Sequence, residues 1–437
     1  MFSSINLIFT FCLKSRILEK RGGNHMENIA HIFCNPEEEY WTIPPIKSFL
    51  KENDVKVDNV SAIKENTKTK LIDAAMDFAE QNEENKQIFI EWIDRTVKEG
   101  IKEIILHKCQ MDEGMNLTFA NEASTRKFLD MYVDTESTGY LINSKYDNKT
   151  RMVKYTLSRI RDKRVITLYF GKMITYIDKR QSKCRDIEFP VIFEYFIDEG
   201  WYLVRYKARS NLYEYHPEFQ NEYMKTDYPI QDSKLVQEAV QQAMHILQLK
   251  EITGSEQSYF LKKMFYRILK QFTETPPEIK DRLDQYKNNI ISMEQNIKEL
   301  CRIPEGQTFS LHSDLCNLFE KYISINWLDK EIFTRHRKAY PIKLRATDEE
   351  DSHVDQTAGG DSGPLQSKAI FFDNKRMIDN DEMCDGLTLK WKRSVRTYYP
   401  ETFTVRISEK RGKCYLSFKE YTAEEDIQDV LFSIIGA

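Results

Sequence analysis

The sequence predicts an α+β protein, and three observations lead there. Residues 188–215 alternate apolar and polar positions on two arms around Asp198-Glu199-Gly200, the pattern of a β-hairpin. Residues 37–110 and 233–340 carry apolar residues at helical spacing. Residues 139–230, between them, combine strand-like alternation with a high density of Lys and Arg. The expected order is a helical N-terminal module, a basic antiparallel β-rich middle, a helical block and a small C-terminal β-hairpin–helix unit.

The 437 residues suggest two or three domains, and 41% hydrophobic content is enough for packed cores. Net charge is -5, which excludes a uniformly basic polyanion binder; any such role must come from local charge. The eight cysteines are scattered with no C-x-x-C pair, the usage of a reducing compartment, so a cytoplasmic location and no metal or other cofactor are expected. No apolar run reaches the ~18 residues of a membrane span, so no membrane partner is expected. Residues 1–25 read as an upstream extension of a chain that starts at Met26.

The N-terminal module is expected over residues 26–138. Its first helix carries Ile46, Phe49 and Leu50 behind Pro44 and Pro45, which suit a helix start because their missing N–H groups cost nothing there. The second carries Leu71, Ile72, Ala75, Met76 and Ala79 as one stripe, and the third ends at Gly100. Residues 44–80 resemble the SAP and helix-extension-helix family of DNA-binding modules. The likeness rests on Ile46, Phe49 and Leu50, on the Val55-Lys56-Val57 extension, and on Lys68-x-Lys70-Leu71-Ile72 opening the second helix. That resemblance implies that Lys68 and Lys70 lie near a phosphate backbone. Residues 111–139 show no clear period.

The basic β-rich domain is expected over residues 139–230, with strands near 151–158, 164–170 and 173–178 before the hairpin. Cations spaced along strands can neutralise phosphates, and neighbouring aromatic rings can stack on bases. The nucleic-acid contacts expected here are Arg159, Arg161, Lys163, Arg164, Lys179 and Arg180, with Arg205, Lys207 and Arg209 on the hairpin. On the hairpin's second arm, Trp201, Arg205, Lys207 and Arg209 share one face.

A helical block is expected over residues 231–345. Ser233 can cap its first helix, and a second covers about residues 256–272. The third carries Ile279, Leu283, Tyr286, Ile290, Met293, Ile297 and Leu300 as a heptad seam, a possible contact for a protein partner through residues 279–300. A fourth starts at Ser310 or Ser313. Residues 346–368 lack apolar periodicity and read as a flexible linker. The last unit, 369–437, has a basic strand around Trp391 with Lys390 and Lys392, strands FTVRI and CYLSF, and a closing helix with a Thr422-x-x-Glu425 capping box.

Catalytic patterns are lacking. Neither glycine-rich phosphate loop occurs. His312-Ser313-Asp314 are chain neighbours on one expected helix and do not face one another. A metal-dependent nuclease needs further acids beside Glu194, where the second arm offers Arg205-Tyr206-Lys207. The expected function is non-enzymatic, salt-dependent binding of DNA or RNA through the basic β region. The alternative is a protein-interaction scaffold or a subunit of a multi-protein system.

Overall fold

A computed structural model of the chain describes residues 42–57, 64–133, 146–178, 183–216, 228–303, 311–347, 353–359, 363–394 and 399–436. The extension expected over 1–25 lies outside them. The fold is α+β, with helices flanking antiparallel sheets. The chain divides into two compact units. One holds the residues up to Gly100 and Lys108–Lys250, the other Ile101–His107 and Glu251–Ala437.

The first unit opens with α1 (Ile43–Glu52), α2 (Lys64–Glu80) and α3 (Glu83–Lys98). Phe49 stacks on Trp92 with centroids 4.4 Å apart and meets Phe78 edge-on. The Asn82 side chain accepts the Asn85 N–H at 2.8 Å and caps α3. Gly100 stands just past the end of α3 with φ 96°, the conformation expected of it. The following segment corrects the helical reading of residues 37–110. Glu103–Met111 is a strand, β1, whose residues Glu103 to Leu106 pair with Cys414 to Ser417 at the far end of the chain. No local window contains that partner. The stretch without a clear period then forms α4 (Glu122–Leu129), capped by Asn121.

Next come β2 (Arg151–Ile160), β3 (Lys163–Gly171), β4 (Met173–Asp178), β5 (Lys183–Glu188), β6 (Val191–Phe196), β7 (Trp201–Tyr206), β8 (Leu212–Glu214) and β9 (Pro229–Ile230). Within the unit they form one sheet in the order β7-β6-β3-β2 and a small one in the order β5-β4-β8-β9. Arg161 and Asp162, both at positive φ, make the two-residue turn between β2 and β3. The expected hairpin is β6–β7, with Phe196 opposite Trp201 and Ile192 opposite Arg205. Gly200 turns it at φ 64°, where a Cβ would meet the Cys109 carbonyl oxygen at 2.9 Å.

The contact expected of Arg205 on the hairpin is corrected by its burial. Every residue of β6 is buried, and so is all of β7 except Tyr206, which is half-buried. The core of α1–α3 continues into Val153, Tyr169 and Ile192 on the sheet, and α5 (Asp232–Leu247) packs against β6 and β7. Gln231, not Ser233, is the residue before α5, and it makes no side-chain cap. Two covered faces bury Arg205, and a buried guanidinium needs a counter-ion. Glu194 supplies it with Oε2 at 2.6 Å from Nε, while Lys98 donates to Glu194 Oε1 at 2.9 Å. Burial pushes the Glu194 carboxyl up, but Arg205 and Lys98 outweigh it and hold the group below the usual carboxylate range.

The second unit continues from β10 (Leu249–Glu251) through α6 (Ser255–Phe272), α7 (Pro277–Gln285), α8 (Lys287–Leu300) and α9 (Leu311–Asn326). It ends with β11 (Ala339–Thr347), β12 (His353–Thr357), α10 (Ala369–Asp381), β13 (Gly386–Lys392), β14 (Thr402–Lys410), β15 (Lys413–Phe418) and α11 (Glu424–Ile435). Its strands lie in the order β12-β11-β13-β14-β15-β1. The expected heptad seam is interrupted, because α7 ends and α8 begins at Tyr286. Ile279 and Ile290 are buried, whereas Met293 and Leu300 are exposed. The linker expected over 346–368 contains β12, paired antiparallel to β11 from Lys343↔Thr357 to Thr347↔His353. The capping box also fails: Ala423 precedes α11, and the Thr422 hydroxyl donates to the Glu420 carbonyl.

His107 is buried in this unit with Nε2 3.7 Å from Glu251. Burial lowers its pKa to about 4, Lys413 adds to that, and Glu251 opposes it.

Replacing Glu194 by Gln should cost about 3–5 kcal/mol, the range for breaking one side of a buried ion pair, read by urea unfolding. Its carboxylate contributes stability above the unfolded pKa, lost as pH falls through the folded value, so the variant's acid limb should be shallower. An unchanged midpoint would refute the ion-pair account. For His107 the unfolded chain takes up the proton first, so stability falls as pH drops from 6.5 towards about 4. His107→Gln should flatten that decline in melting temperature between pH 7 and pH ~4.5.

Candidate nucleic-acid interface

The cations expected in the middle of the chain are largely engaged. Lys163 Nζ lies 2.5 Å from Glu199, and Arg164 lies 2.5 Å from Asp198 while donating to the Phe119 carbonyl at 3.0 Å. The hydrogen bond from Arg164 holds the Asp198 carboxyl below its usual range. Arg205 is locked inside with Glu194. Lys154 pairs with Asp94, Arg151 with Asp147, and Lys172 with Glu214 and Glu238, both at 3.2 Å. Arg209 places its guanidinium 5.3 Å from the centre of the Tyr176 ring, and Lys207 beside it is half-buried.

The structure gathers Arg159, Arg161, Lys163 and Arg164 at the β2–β3 turn, beside the Asp198 and Glu199 carboxylates. Lys207 and Arg209 follow the other end of β7. On α2, Lys68 is half-buried and Lys70 exposed; the helix begins at Lys64, so neither lysine opens it. Lys179 and Arg180 lie outside the described residues. The placed cations therefore form no single track. Strands covered on both faces cannot leave charges unpaired.

A different basic surface lies on the second unit's sheet. Leu344, Leu387, Leu389, Trp391, Val405, Ile407 and Leu416 are buried, and α6 packs against β11, β13, β14 and β15 with Phe272 edge-on to Trp391 at 5.3 Å. The alternating positions point away from that core. One row across the sheet reads Lys343, Thr388, Arg406, Ser417, and the next Arg345, Gly386, Ser408, Tyr415. The first three residues of each row line a trough of about 740 Å³ that also touches Thr347, Thr404, Lys410 and Lys419. Gly386 keeps the floor low, since a Cβ there would meet the Ile407 carbonyl oxygen at 2.9 Å.

Lys343, Arg345 and Arg406 are exposed, and among the described residues their side chains make no hydrogen bond or ion pair. Lys410 sits 5.6 Å from the Tyr415 ring centre, and Lys419 is 3.9 Å from Glu103. Two of the three acids at the trough are committed. Asp385 takes Lys262 at 2.7 Å and the Thr347 hydroxyl at 2.6 Å, and Glu409 accepts the Gly412 N–H at 2.7 Å. The third, Asp355, stands opposite Arg345 in the register. The face can thus hold several anionic groups without first displacing an internal carboxylate.

These three cations were not singled out by sequence. The signal was present as Ile342-Lys343-Leu344-Arg345-Ala346, a period-two run, and as Arg406 in the FTVRI strand. What no local window contained was the order β11-β13-β14 that sets them side by side. Of the basic strand at Trp391, Lys392 donates to the Thr334 carbonyl at 2.6 Å, and Arg393 is buried against Asp426 at 3.3 Å.

The catalytic candidates fare no better. His312 Nδ1 lies 2.8 Å from Glu294. Among the described residues no group of three His, Cys, Asp or Glu side chains is placed to hold a metal ion, and no helix is long and apolar enough to cross a membrane. Compared with protein-family models, with curated proteins and with solved structures, the chain matches none of them.

Gly386→Ala should cost about 1–3 kcal/mol, because the methyl group meets backbone and the sheet must shift. Thermal unfolding checks this; a melting temperature equal to wild type would show that the floor has slack.

Proposed function

We propose that this protein binds nucleic acid without catalysing a reaction on it, through salt-dependent contacts to the phosphate backbone. The observation that carries this reading is the exposed trio Lys343, Arg345 and Arg406, unpaired among the described residues, on one sheet face beside hydroxyl-bearing Thr388 and Ser408. Ammonium and guanidinium groups neutralise phosphates and release their counter-ions, and hydroxyls donate to phosphate oxygens. Arg159, Arg161 and Lys70, exposed on the first unit, support the same reading more weakly, because the first two share their turn with Lys163 and Arg164, which are paired with Glu199 and Asp198. The net charge of -5 makes such a local face the electrostatic feature that a polyanion would find.

A protein-interaction role draws on another feature. The helical block exposes Leu318 and Tyr322 in a groove of about 570 Å³ that also involves Tyr286, Phe319 and Trp327. A stoichiometric protein partner in material from the native source, with no nucleic acid present, is the result that would favour it.

Binding of a mixed-sequence nucleic acid should weaken steeply with salt. Converting Lys343, Arg345 and Arg406 to Glu should lower the slope of log affinity against log salt by roughly 0.9 per lost phosphate contact. The matching change at Lys163 and Arg164, already paired, should leave the slope near wild type. Gel-shift titrations across salt measure both. If the triple variant binds as wild type does, the trough is not the interface.

A further inference from the structure

We infer that the trough takes one sugar-phosphate strand of a double helix and discriminates against free single strands. This rests on the phosphate-binding reading above and adds the class of nucleic acid. The cations stand in two rails. Lys343 and Arg345 lie on β11, Arg406 and Lys410 on β14, and β13 runs between them. Two strand spacings put the rails roughly 10 Å apart, and successive outward residues on one strand are about 7 Å apart. Thr388 and Gly386 of β13 form the floor. A single backbone ridge fits between such rails and can be reached from both sides.

The trough offers nothing to the bases. Among the described residues no aromatic side chain lines it. The nearest on the same face are Tyr415, half-buried with the Lys410 ammonium over its ring, and Tyr340, half-buried opposite Lys390 at the neighbouring edge. Proteins that hold single strands rely on ring faces to stack successive bases, which offsets the entropy lost when a flexible strand is ordered. Here that compensation is missing. A duplex arrives with its bases already stacked on one another and its phosphates at fixed intervals. The same number of ion contacts is therefore made at a smaller ordering cost.

Fluorescence anisotropy of the full chain with a labelled duplex of ~20 base pairs, and with each of its separated strands at the same salt, tests this. The duplex should bind on the order of tenfold tighter. Arg406→Gln and Lys343→Gln, which keep side-chain bulk, remove ion contacts common to both forms and should weaken duplex and single-strand binding by similar factors, so that the preference for the duplex persists. Circular dichroism of each variant should match wild type. Single strands that bind as tightly as the duplex or tighter would overturn the preference while leaving phosphate binding in place. Binding of neither form would overturn the nucleic-acid reading itself and this inference with it.

Discussion

An ion can be buried only with a counter-ion, and that constraint sorts the cations of this protein. In the first unit α1–α3 lie over one face of the β7-β6-β3-β2 sheet and α5 packs on β6 and β7. Arg205 has no route to solvent and is answered by Glu194, which Lys98 also meets. Lys154 on β2 repeats the arrangement with Asp94 of α3. Removing either ion of such a pair strands the other in a medium that solvates it poorly. The pairs therefore hold register and helix placement, and they take these cations away from any ligand.

The second unit meets the constraint in the other way. Its sheet has an apolar face under α6 and an opposite face that stays wet. Lys343, Arg345 and Arg406 remain hydrated, need no internal partner, and are free to exchange small counter-ions for a polyanion. Charge density along the chain is thus a poor guide to a binding surface. The long basic stretch over residues 145–185 runs through strands that are covered or matched, while the available trio comes from β11 and β14, far from it in the chain.

The same physics explains which sequence readings held. The β2, β3 and β4 strands and the β6–β7 hairpin were legible because alternation and turn residues are local. The end of α3 at Gly100 was legible for the same reason, whereas α2 starts at Lys64, ahead of the lysines read as opening it. The heptad seam was misleading because seven-residue spacing continued through Tyr286, where the backbone stops one helix and starts another. The linker reading failed because β12 draws its place from pairing with β11, and its own polar sequence carries little β signal.

The sequence by itself determined the α+β class, most of the elements and the presence of basic strands, since each follows from periodicity and turn chemistry within a short window. Only the tertiary structure decided which cations face solvent. That choice depends on which helix covers which face, and on strands distant in sequence lying side by side. β1 pairing with β15 and β11 lying beside β13 are contacts of that kind, set by burial of the whole apolar surface and not by any one segment.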